Sequence, residues 1–206
     1  MSELLLERLV QAARQELARA LGELCSEVGA AESSILLPSG GTDLVFFAST
    51  NVALTQPDAP HVPITASFSG IAYRTGQTMA VADAASQAPH FRAVDDHVAS
   101  RTREFAAIPL ADRTVLGVLT LVNRAASGTG EAHPFDIAEL RRAQTVASEM
   151  AHVLARLPGL TGAELHDTDL TRKFGAEFGA DLALLKDGER RVVHSLVNAL
   201  IQNRTE

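Results

Sequence analysis

Two stretches of this chain place apolar residues at alternating steps of three and four. They are Leu6, Val10, Ala13, Leu17, Leu21, Leu24 and Val28 near its start, and Leu140, Ala143, Val146, Met150, Val153 and Leu157 beyond its middle. That spacing is the stripe of an amphipathic helix. It restricts the fold more than any other feature, because the β-like runs all lie between the two stripes. The first helix, at about 25 residues, spans roughly 37 Å and outreaches a compact domain. Two such stripes exceed what one small sheet covers, so a homodimer built on them is expected.

Between the stripes the period changes to two. In "ESSILLPSGGTDLVFFAST" β-branched and aromatic residues flank a Gly-Gly pair that supplies positive φ, which predicts a hairpin. Residues 51–63, with three prolines, form a connection; "ASFSGIAYRTGQ" reads as a short helix closed by Gly76, and "TMAVAD" as a short strand. "FAAIPL" and "VLGVLTLVNR" form a second strand pair across the turn 111–114. The second long helix has a marked start: Asp136 caps it, Glu139 reaches back, and Phe135 staples onto Leu140. After Pro158-Gly159, the stripe Leu170, Phe174, Phe178, Leu182 and the stripe Val193, Leu196, Leu200 flank Asp187-Gly188 as a helical hairpin. The order predicts an α+β fold, an antiparallel sheet with helices on both faces, and excludes the βαβ nucleotide folds. The expected division is residues 1–29 as a dimerisation helix, 30–158 as the folded domain and 159–206 as a C-terminal helical extension.

Function classes fall away on charge and residue type. A net charge of −7 with scattered basic residues offers no polybasic run for nucleic acid or an anionic membrane. Cys25 is the only cysteine, which removes disulfide frameworks, CxxC pairs and Cys-rich zinc sites, and fits a reducing cytoplasm. No apolar run approaches the ~20 residues that span a bilayer. "SGGTD" and "ASGTGEA" lack the residues of a phosphate loop, and no G-x-S-x-G elbow exists. No nucleophile stands out, and the chain is expected not to be an enzyme.

One stretch concentrates chemistry: "PHFRAVDDHVASRTREFAAIPL", residues 89–110. On a helix His90 and His97 lie about 10 Å apart along the axis, too far for one zinc with bonds of ~2 Å, and in so hydrophilic a context both are expected to be exposed. Asp95 and Asp96 point about 100° apart and cannot share an acid/base site. Two readings stay open: a solvated helix, or a lid whose polar residues turn inward onto a ligand.

Several dispersed pieces, in one order, resemble the GAF domain. "GIAYRTGQTMAVADAASQAPHF" is similar to the family's short helix, Thr-Gly turn, strand, Asp-Ala and Pro-x-Phe series, and "VLGVLTLVNR" to its last strands. The resemblance covers residues 30–155 and implies a central antiparallel sheet, a lid enclosing a small-molecule pocket, and terminal helices that pair domains into dimers. The lid stretch resembles that of cyclic-nucleotide-binding GAF domains of phosphodiesterases and bacterial adenylate cyclases. Carried over on that basis, Phe91 stacks near a purine, Asp95 contacts the base, and Thr102 lies beside the phosphate. Ser34 is a polar position on the first strand, Phe68 and Ser69 belong to the short helix whose amides face the phosphate, and Thr120 stands where an acid often reaches the ligand. Val98 replaces a second lid hydroxyl. The subgroup's signature survives as Asn123-Arg124 with Phe135, Asp136 and Glu139, a structural clasp. Free methionine sulfoxide reduction would need several cysteines, and bilin attachment a cysteine in the lid region. The resemblance implies a non-catalytic cytoplasmic sensor, homodimeric, with cyclic AMP or cyclic GMP as a possible ligand, no metal or cofactor, and a signalling partner protein. The alternative is a ligand-free scaffold for dimerisation and recruitment.

Overall fold

The computed structural model describes residues 3–125 and 132–156. The predicted hairpin within 159–206 lies outside the described residues. Helix α1 (Glu3–Val28) leads into a hairpin of β1 (Ala30–Ser39) and β2 (Asp43–Ser49). A 3₁₀ turn at Val52–Thr55 and the short β3 (Val62–Pro63) precede α2 (Phe68–Thr75) and β4 (Met79–Val81). A further 3₁₀ turn at Ala84–Ser86 precedes α3 (Arg92–Val98), which is followed by β5 (Phe105–Ala111), β6 (Val115–Arg124) and α4 (Ile137–Arg156). The six strands form one antiparallel sheet in the order β3-β2-β1-β6-β5-β4. The architecture is the expected α+β class; the two-residue edge strand β3 and both 3₁₀ turns are too short to leave a periodic signal.

Strand periodicity separates two cores. Ile35, Leu37, Ala106, Ile108, Leu110, Leu119 and Leu121 point to one face, where α1 and α4 lie side by side. Leu36, Ala107 and Val118 point to the other and meet Val62, Ile64 and Ala72 beneath α2 and α3. A bulge between Ile35 and Leu36 puts Phe47 and Ala48, successive residues of β2, into the same core. The hairpin turns on Gly40 and Gly41, both at positive φ (62° and 78°).

The apolar stripes end up elsewhere than their length suggested. From Ala13 onward the stripe of α1 is buried in its own domain, with Leu17, Leu21, Leu24 and Val28 almost inaccessible, and so are Ala143, Val146, Met150 and Val153 of α4. The sheet is wide enough to take both helices on one face, so these portions are core. An ion pair between Glu27 and Arg142 ties the two helices at the surface, and Arg142 holds the Glu27 carboxyl below its ordinary value.

Candidate functional site

The second face of the sheet is the floor of a cavity. Register sets it out in rows: Glu32, Val122 and Phe105 in one, Ser49, Ser34, Thr120 and Ala107 in the next, then Phe46, Leu36 and Val118. The middle row is polar and buried. Ser34 Oγ and Ser49 Oγ share a hydrogen bond of 2.8 Å, and Thr120 Oγ1 lies 3.5 Å from the Ser34 carbonyl oxygen. The start of α2 forms one wall: Ser67 caps it by accepting from Gly70 N at 2.9 Å, and the Phe68 ring lies 5.8 Å from that of Phe105. Gly70 is required there, because a Cβ would stand 2.2 Å from the carbonyl oxygen of Ile64.

Helix α3 is the lid. None of its residues is fully buried, yet Val94, Asp95 and Val98 line the cavity. The Asp95 carboxylate accepts from Thr102 Oγ1 at 2.6 Å and Thr102 N at 2.9 Å, and it lies 3.0 Å from His90 Nε2. His97 Nε2 reaches the Ala53 carbonyl oxygen at 3.2 Å. Both histidines therefore depart from the exposure expected of them. His90 is only 11% exposed, because the chain turns it back over α3 onto Asp95. The cavity, partly open to solvent, has a volume of about 70 Å³.

The structure brings Ser34, Phe68, Ser69, Phe91, Asp95, Thr102 and Thr120 to one cavity, although they come from five separate segments of the chain. It spends Asp95 and Thr102 on each other, where the resemblance gave them to a purine and a phosphate. Sequence reasoning missed Glu32, Phe46, His90 and Val94 as lining residues. Glu32 was legible in part, since it lies two residues before Ser34 and shares its face of β1. His90 depends on a tertiary turn.

The clasp residues gather at the far end of β6. Arg124 forms a two-pronged pair with Glu139 at 2.7 and 2.8 Å, and its guanidinium carbon stands 4.9 Å over the Phe135 ring. Asp136 Oδ1 accepts from Ala138 N and Glu139 N, while Asp136 N donates to Glu139 Oε2 at 2.7 Å, a reciprocal cap. Arg124 holds the Glu139 carboxyl below its ordinary value. Asn123, at φ 54°, accepts from Arg103 N and donates to the Arg101 carbonyl, so it straps the strand end to the segment leaving the lid. Cys25 faces the helical core on the opposite side of the sheet, where burial first and Glu32 second push its thiol up to about 11.

Comparison with known proteins agrees with this architecture. The GAF domain of a phosphoenolpyruvate-protein phosphotransferase from Coxiella burnetii aligns with a TM-score of 0.59 at 18% identity, covering 73% of this chain and 92% of that one. A GAF domain/HD domain protein from Geobacter sulfurreducens aligns at 0.57 and 15% identity, covering 74% and 97%. A type II free methionine-R-sulfoxide reductase from Thermoplasma acidophilum aligns at 0.53 and 13%, covering 70% and 94%. At such identities the likeness is one of fold. No curated protein matches the sequence. The family model described as GAF domain matches residues 11–155, which include most of both long helices and the whole sheet, and the chain belongs to the GAF domain family.

Proposed function

We propose that this protein is a non-catalytic, cytoplasmic sensor that takes a small molecule under α3 and passes its occupancy to a partner protein through α1 and α4 of a homodimer. GAF domains are in general regulatory modules that sense small molecules. The observation that carries the reading is the cavity: a partly enclosed space on one sheet face, with a polar row in its floor and a lid that contributes no fully buried residue. A segment held mainly by a few polar contacts is drawn from the low-stability end of a structure and can move when a ligand enters.

The volume bears on the ligand. About 70 Å³ is under half of the roughly 150 Å³ that holds benzene in an engineered apolar cavity. A cyclic nucleotide, the class suggested by the lid, would enter only if lining residues moved apart. The small volume therefore favours a compact ligand. Cyclic AMP and cyclic GMP at millimolar concentration are expected to leave the melting temperature unchanged. A ligand at 100 times its Kd would raise it by roughly 5 to 10 °C; such a rise, abolished in Asp95→Ala and Thr102→Val, would restore the nucleotide class.

The small volume also favours a second reading, the ligand-free scaffold. Thr120→Leu separates the two. In a sensor it fills the floor and removes binding of whatever mass spectrometry finds released from the purified protein. If nothing is released, no compact fragment binds and Thr120→Leu raises stability, the cavity is a packing defect and the scaffold reading holds.

A further inference from the structure

The charges around the cavity decide between ligand classes in a way the lid's resemblance does not. Among its lining residues are two carboxylates, Glu32 and Asp95, and one histidine, His90; none is Arg or Lys. Asp95 is committed to Thr102 and His90. Glu32 is different: it accepts one hydrogen bond, from Asn51 Nδ2 to Oε2 at 3.1 Å, and forms no ion pair among the described residues. Opposite the floor, Ser69, only 5% exposed, lines the same space, and its hydroxyl has no hydrogen-bond partner among the described residues. The cavity thus holds an unused acceptor and an unused hydroxyl beside an apolar body of Leu36, Phe46, Val94 and Phe105.

We propose that the pocket selects a compact ligand with an ammonium-type cationic head, received by Glu32, and discriminates against anions. The magnitudes favour this. The start of α2 supplies about half a positive charge, against the formal charges of two carboxylates. An anion brought into this space would lose its hydration without gaining a cation, and an unpaired charge leaving water is disfavoured. A cation would supply the counter-charge that Glu32 lacks. The field of Glu32 reaches beyond the cavity, since it is one of the causes that raise the Cys25 thiol.

This inference rests on the sensor reading, and its test keeps the two apart. Propylamine against propionate, and ethylamine against acetate, would be titrated into the full chain while the backbone amide signals of Glu32, Ser34 and Thr120 are followed by NMR. The amine of each pair is expected to bind at least about tenfold more tightly, and Glu32→Gln, which keeps the Asn51 contact, should erase the difference without moving the melting temperature. If a carboxylate binds as well as its amine, or Glu32→Gln leaves the preference intact, the inference fails while the sensor reading stands. If no member of either pair perturbs those amides, the inference fails as well, and the sensor reading is decided by the released-ligand and Thr120→Leu measurements.

Discussion

At Gly117 an added Cβ would stand 2.3 Å from the carbonyl oxygen of Leu36 and 2.8 Å from a methyl of Leu37. The obstruction is backbone of the neighbouring strand, which cannot step aside. Gly117→Ala should therefore destabilise by about 1 to 3 kcal/mol or more, read from denaturant midpoints. At the start of α4, Asp136→Ala removes an acceptor shared by two amides and should cost about 1 kcal/mol, with no change at the cavity. Glu139 adds a pH dependence. Its folded-state pKa lies below the ordinary value of 4.5, so its stabilising effect is complete above that value and is lost as pH falls through the folded one. Melting temperature should drop below about pH 4.5, and Glu139→Gln should lower it at neutral pH while flattening the acid decline. The cap was legible in the sequence, because Asp136 and Glu139 are local partners. The Gly117 constraint was not, because it belongs to a strand eighty residues away.

The elements differ in how firmly they are held. Strands β1, β5 and β6 are buried on both faces, whereas α3 hangs on Asp95, His90 and His97. Removing the Asp95 carboxylate leaves the Thr102 amide and hydroxyl and the His90 ring without their acceptor. Asp95→Ala should cost about 1 to 3 kcal/mol and speed amide hydrogen exchange in 92–98 well before that of β5 and β6 changes. Equal effects across the sheet would mean that the lid is not a separate unit. The sequence left this segment open between solvated helix and lid. Its outward residues, Arg92, Ala93 and Asp96, fit the first and its inward ones, Val94, Asp95 and Val98, the second. With seven residues the helix is too short for periodicity to choose.

For the whole molecule, the length argument for a dimer has moved. The described parts of both stripes are covered by the sheet, and the large hydrophobic residues left exposed among the described residues are Val52 and Ile137. A homodimer remains our proposal on the first turns of α1, where the sequence places Leu4, Leu5, Leu6, Leu9 and Val10, a run too apolar for an isolated helix end in water. Light scattering at micromolar concentration should report a dimer. Leu6→Glu with Leu9→Glu should yield a monomer that melts cooperatively. A wild-type monomer would remove helix pairing from the proposed signalling route.

The amino-acid sequence by itself determined the longer elements and their order, because the three-four and two-residue periods, the Gly-Gly turn and the Asp136 cap act within a few residues of one another. It also identified seven of the residues that meet at the cavity, though through family likeness rather than local chemistry. Only the tertiary structure decided which groups face each other: that Asp95 bonds Thr102, that His90 folds inward, that Glu32 forms no ion pair among the described residues, and that the described parts of the long stripes serve as core. Those outcomes depend on contacts between distant segments, where burial turns a solvated charge into a costly one and so makes its partner, or the lack of one, decisive.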